Sequence, residues 1–159
     1  MPLQDRLSGK PLASLIELLD SADYAWLKRS SEFRFNWKLE QDNEVFKIFL
    51  TTDPENILGV ISITDKPKEY RIHINLIEVA ESQRGRKKTI DNIAGCLIAF
   101  TCRLAFAKKY LGFVSLNPKS MLINHYQNAY GFRQYGRLLG LEQDDAMRLV
   151  QKYLQDEKK

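Results

Sequence analysis

Between Tyr70 and Ala80 the hydrophobic pattern changes phase. Ile72, Ile74 and Leu76 are apolar at even positions, and Ile77 and Val79 at odd ones. A strand carries its side chains with a period of two, so it cannot exchange faces without an additional residue. The segment therefore predicts a strand over 70–80 with a β-bulge near Leu76-Ile77. The bulge sets Arg71, His73, Asn75 and Glu78 on one polar face. Bulges re-aim a strand and recur beside functional sites.

The segments before it predict mostly antiparallel pairing. Leu12, Leu15, Ile16 and Leu19 follow helical spacing and predict a helix over 11–21. Phe33, Phe35, Trp37 and Leu39 alternate with Arg34, Asn36 and Lys38 and predict a strand over 32–40. Further strands are expected over 45–51 and 57–64, separated by Asp53-Pro54-Glu55-Asn56. After the bulged strand comes SQRGRKKT, a basic loop. A long apolar helix then runs over 90–110, with Ile90, Ile93, Leu97, Thr101 and Leu104 on one face. It is too apolar for a half-exposed helix and belongs in the core. Gly112 ends it, and Phe113 to Leu116 forms a short strand.

Asn117-Pro118 opens the next helix, with Asn as N-cap and Pro at the first helical position. Leu122, Tyr126, Ala129 and Tyr130 form its inner face, and Gly131 caps it. A strand over 137–141 and a helix over 144–155 follow, the latter with Ala146, Leu149, Val150 and Tyr153 inward. No repeat or linker divides the 159 residues. One α+β domain is expected: a helical region over 1–30, antiparallel strands over 31–80, loop and helices over 81–141, and a C-terminal helix and tail over 142–159.

Composition excludes several classes. No apolar run is long enough to span a bilayer. The first twenty residues carry acids inside their apolar stretch, unlike a secretory signal, so a cytoplasmic protein is expected. Cys96 and Cys102 fall about 9 Å apart along a helix axis, too far for a disulfide. With two histidines and no Cys/His cluster, no metal site is expected. The net charge of +4 suits an anionic partner, whether nucleic acid or a phosphate-bearing small molecule, and equally a soluble protein with surplus lysines.

The order of bulged strand, basic Gly loop, buried helix, strand and aromatic helix end resembles the GNAT (Gcn5-related N-acetyltransferase) family. The resemblance runs from about Ile57 to Leu141. ILGVISI looks like the family's central hairpin strand, and INLIEVAESQRGRKK like its bulged strand leading into the pyrophosphate loop. HYQNAYGF looks like the Tyr-x-x-x-Gly-Phe helix end, one residue longer here before Gly131-Phe132. AGCLIAFTCRLAF with LINHYQNAYGF is similar to short bacterial GNAT-like proteins. The implied fold is a mixed, mostly antiparallel sheet with a bulged central strand and helices on both faces.

The resemblance implies acetyl-CoA, or another acyl-CoA, as co-substrate and an amine as acceptor. Val79 would offer backbone groups to the pantetheine arm, and Arg84, Gly85, Arg86, Lys87 and Lys88 would surround the pyrophosphate. Laid on the family's Arg-Gly-Arg-Gly-x-Gly form, the loop has Lys87 and Thr89 where glycines belong. A longer register places Asn92 and Ala94 there and is preferred, because Asn tolerates left-handed backbone. Lys119 falls where a polar residue often lies near the cofactor. Tyr126 is the implied acid for the departing thiolate. Glu78 is the first candidate for the base, and His73 the second.

Bland roles stand beside these: a solvated loop for SQRGRKKT, ring packing for Tyr126, and a surface acid paired with Arg71 for Glu78. Three functions compete. The first is an N-acyltransferase. The second is a GNAT-like binding or regulatory protein without transfer chemistry, which the altered glycine pattern favours. The third is a nucleic-acid-binding module, which no recognition motif supports. No membrane partner is expected, and a homodimer is left open.

Overall fold

A computed structural model describes residues 3–117 and 123–154. Pro118, Lys119, Leu122 and the tail DEKK lie outside the described residues. Seven strands form one sheet in the order β2-β3-β4-β5-β7-β9-β8. They are β2 (Ser14–Leu18), β3 (Glu44–Leu50), β4 (Gly59–Lys66), β5 (Arg71–Val79), β7 (Val114–Leu116), β8 (Arg133–Tyr135) and β9 (Leu138–Leu141). All neighbours are antiparallel except β5 and β7. A separate two-stranded ribbon joins β1 (Gln4–Asp5) to β6 (Ile90–Asp91).

Helices cover both faces. On one face α2 (Ile93–Ala107) and α4 (Gln143–Leu154) bury the main core with Ile48, Ile61, Ile72, Ile74, Val114 and Leu141. Half-buried Tyr126 and Tyr130 of α3 (Ile123–Tyr130) pack against this core. Ala129, expected to face inward with them, is exposed. On the other face α1 (Ser21–Arg29) contributes Leu27 to a second core with Phe33, Trp37, Val45 and Val60.

The bulge falls just before the expected Leu76-Ile77, and Leu76 therefore packs against the second core rather than beside Ile72 and Ile74. Ser62 pairs with Leu76 and Ile63 with Ile74, so Asn75 is the additional residue. It sits at the end of the parallel pair, whose last partners are Ile74 and Leu116. Beyond that point β5 continues to Val79 with a described strand partner on the β4 side only.

Two expected elements are corrected. The segment over 11–21 is not a helix: Ser14–Leu18 is an edge strand, and α1 starts only at Ser21. Leu12 and Ile16 are four apart, a separation that both periods place on one face. Pairing with β3 decides for the strand, and leaves Leu15 and Leu18 exposed. The segment over 32–40 is not a strand either. It is irregular up to Asn36 and closes in a 3-10 turn over Trp37–Glu40. Phe33 and Trp37 are buried as expected of core residues, whereas Phe35 and Leu39 are exposed. The Arg34 and Phe35 N–H groups, which a strand would give to a neighbour, go to the Glu78 carboxylate. The long helix is shorter than expected, Ile93–Ala107, because Ile90–Asp91 pairs with β1.

Candidate functional site at the start of the buried helix

The loop after β5 is held by its own side chains. Gln83 Oε1 accepts from the N–H groups of Thr89 (2.9 Å) and Ile90 (3.0 Å), and Gln83 Nε2 donates to Thr89 Oγ1. Asn92 follows with φ 78° as the N-cap of α2, and its side chain makes no cap bond to the first turn. The first N–H groups of a helix lack intrahelical acceptors and carry its positive dipole end. Such a start beside a basic loop has the chemistry that suits an anion.

A cavity of about 350 Å³ opens at this point, lined by Val79, Arg84, Gly85, Lys88, Asn92 and Ala94, among others. Six of the sequence-derived cofactor residues thus share one cavity. Arg86 and Lys87 are exposed on the same loop outside its lining. Ion pairs restrain most of the loop's cations: Lys88 meets Asp91 at 3.2 Å, and Lys87 meets Glu81 at 3.8 Å. Among the described residues no carboxylate pairs with Arg86.

Sequence reasoning missed Tyr130 and Tyr153, which also line the cavity with their rings 6.5 Å apart. Tyr153 lies over Gly95, where an added Cβ would come within 2.4 Å of its ring. Tyr126 stands one turn before Tyr130, with ring centroids 6.2 Å apart. Gly131, at φ 79°, donates its N–H to Gln127 O and ends α3 in a left-handed cap. Burial raises the Tyr126 hydroxyl above the ordinary tyrosine value, and the Tyr130 hydroxyl further still. Both stay protonated at neutral pH, as a proton donor must.

Glu78 and His73 lie on the opposite face of the sheet. Glu78 is buried, and four donors surround its carboxylate. Oε2 accepts from Arg34 N (2.7 Å) and Arg84 Nη2 (3.1 Å), and Oε1 from Phe35 N (3.3 Å) and Trp37 Nε1 (2.8 Å). A carboxylate has about four acceptor positions, and all are used. His73 Nδ1 meets Ser115 Oγ at 2.9 Å and Arg71 Nη1 at 3.3 Å. Arg71 also donates to Ser115 Oγ and to Glu69. A guanidinium only donates, so His73 Nδ1 accepts and the ring proton sits on Nε2. Burial, then the charges of Arg71 and Lys66, lower the His73 pKa and keep the ring neutral. His73 and Glu78 are about 13–17 Å apart along β5.

A larger cavity, about 890 Å³, lies on this second face, lined by Tyr24, Phe33, Arg34, Phe35 and Trp37, among others. Among the described residues no group of His, Cys, Asp and Glu is arranged to hold a metal ion. No helix there is long and apolar enough to cross a membrane.

Solved structures of acetyltransferases share this architecture. A complex of AtaTR with acetyl-CoA superposes with a TM-score of 0.61 at 15% identity, over 86% of this chain and 98% of that one. The fold is GNAT-like. The spermidine/spermine N-acetyltransferase SpeG from Vibrio cholerae gives 0.60 at 11% identity, over 86% and 96% of the two chains. Nourseothricin acetyltransferase gives 0.58 at 14%, over 82% and 98%. No protein-family model and no curated protein matches the sequence. The GNAT-like fold accounts for the mixed sheet, the bulged β5 and the loop that leads into α2.

Proposed function

We propose that the protein is an acyl-CoA-dependent N-acyltransferase that moves an acetyl group from acetyl-CoA to an amine. The observation that carries this reading is the cavity at the start of α2, beside the stretch of β5 that has no described strand partner on the β7 side. The α2 N–H groups, Arg86 and Lys88 would hold the pyrophosphate, and the backbone of β5 beyond its described pairing with β7 the pantetheine amides. Bound acetyl-CoA supplies an activated acyl carbon and a thiolate leaving group. Tyr126 would give its hydroxyl proton to that sulfur as the amine nitrogen takes the acyl carbon. Glu78 and His73 present no free lone pair in this arrangement, so the amine proton would pass to water.

That last point favours a second reading, a GNAT-like protein that binds acyl-CoA without transferring the acyl group. A thermal melt with acetyl-CoA tests what the two share. A ligand at about 100 times its Kd adds roughly 2.7 kcal/mol, a Tm rise of about 5–10 °C for this size. Arg86→Ala and Lys88→Ala should each reduce it. Absence of any shift at millimolar acetyl-CoA removes both readings. A shift without CoA release across a panel of amines leaves only the second.

A further inference from the structure

The two cavities lie on opposite faces of the sheet, and the Glu78 carboxylate bonds to the wall of each. Arg34, Phe35 and Trp37, which donate to it, line the larger cavity. Arg84, its fourth donor, lines the smaller one. Arg84 is committed beyond Glu78: its Nε donates to Val79 O at 2.7 Å, and its Nη1 lies 3.5 Å from Glu81 Oε2.

We propose that Glu78 is a positioning residue. It transmits occupancy of the loop-side cavity to the wall of the larger cavity, so that the acyl donor shapes the acceptor cavity before the acceptor arrives. The inference rests on the acyltransferase reading above. A ligand shifts an arrangement only through a group whose bonding differs between the two states. Arg84 is that group, because phosphate oxygens compete with carboxylates for a guanidinium. When Arg84 turns to the phosphates, Glu78 loses its cation and keeps three N–H donors, all within residues 34–37. A buried carboxylate without a counter-charge depends wholly on its remaining hydrogen bonds, so the segment is drawn in on it. The same turn uncovers the Val79 carbonyl, which accepts from Arg84 Nε, and an amide of the donor can take its place.

Trp37 reports the change, because its indole N–H is one of the three donors. With Trp26→Phe, Trp37 is the single tryptophan of the full chain. Acetyl-CoA is titrated into this protein by calorimetry and by Trp37 emission. The expected result is an emission shift that saturates with the calorimetric Kd. In Glu78→Gln, acetyl-CoA still gives an isotherm and Trp37 no longer responds. Calorimetric binding with unchanged emission in the parent overturns the inference and leaves the acyltransferase reading standing. If acetyl-CoA does not bind, that reading falls and the inference with it. Arg84→Gln in the ligand-free protein tests the link from Arg84 to Trp37 separately. A shifted Trp37 emission supports transmission through Glu78, and an unchanged one overturns it. Arg84 is 38% exposed, so this variant keeps the test available if Glu78→Gln does not fold.

Discussion

Trp37 and Glu78 stand 41 residues apart in sequence and meet through an indole N–H donated to a buried carboxylate at 2.8 Å. The contact fastens the irregular segment before β3 to the end of the bulged strand. A carboxylate on a strand is thereby turned from a surface acid into the anchor of a second core.

Glu78→Ala should cost about 2–3 kcal/mol, since it strands an indole N–H, two backbone N–H groups and a guanidinium at once. For a chain of this size that lowers Tm by about 4–12 °C. Scanning calorimetry checks it, and a loss of under about 2 °C would mean that water replaces the carboxylate without penalty.

Tyr126→Phe should lower kcat for CoA release by about 100-fold, the usual share of one general acid. KM for acetyl-CoA should hold, because the phenyl ring keeps its packing against Tyr130 and Phe132. Equal changes in both constants would assign Tyr126 to binding.

Stability should fall as the pH is lowered through about 6.5, the ordinary histidine value. His73 has a lowered pKa in the folded chain. The unfolded chain takes up that proton first, so acid favours unfolding. The contribution is complete above the unfolded value and is lost below it. His73→Gln should flatten this part of the Tm-against-pH curve, and an identical curve would refute the assignment.

Gly95→Ala should destabilise the protein by about 1–3 kcal/mol, the cost of overpacking, because the new Cβ would meet the Tyr153 ring at 2.4 Å. Tyr153→Ala in the same chain should restore part of the loss. A double variant no better than the sum of the singles would place the strain elsewhere.

Much of the candidate cavity was legible because it is local in sequence. Arg84, Gly85, Lys88, Asn92 and Ala94 follow β5 within a few residues of one another, so a strand leading into a helix brings them together without long-range information. The bulge was legible because a phase change in a period-two pattern has one geometric solution. Tyr153 was not legible as part of the site. It reads as an inward residue of the last helix, and only the packing of α4 on α2 carries it to the start of α2.

By itself the sequence determined the bulged strand, the buried helix, the basic loop between them and the capped end of α3. Each follows from periodicity or from the backbone a residue tolerates. Tertiary structure decided the rest. Leu12 and Ile16, like Phe33 and Trp37, are four residues apart, a spacing that suits helix and strand alike. Pairing with β3 resolved the first pair, and the Glu78 carboxylate resolved the second by taking the N–H groups that a strand partner would have used. The surroundings of Glu78 were decided in the same way, because the number of donors around a carboxylate depends on which distant segments fold against it.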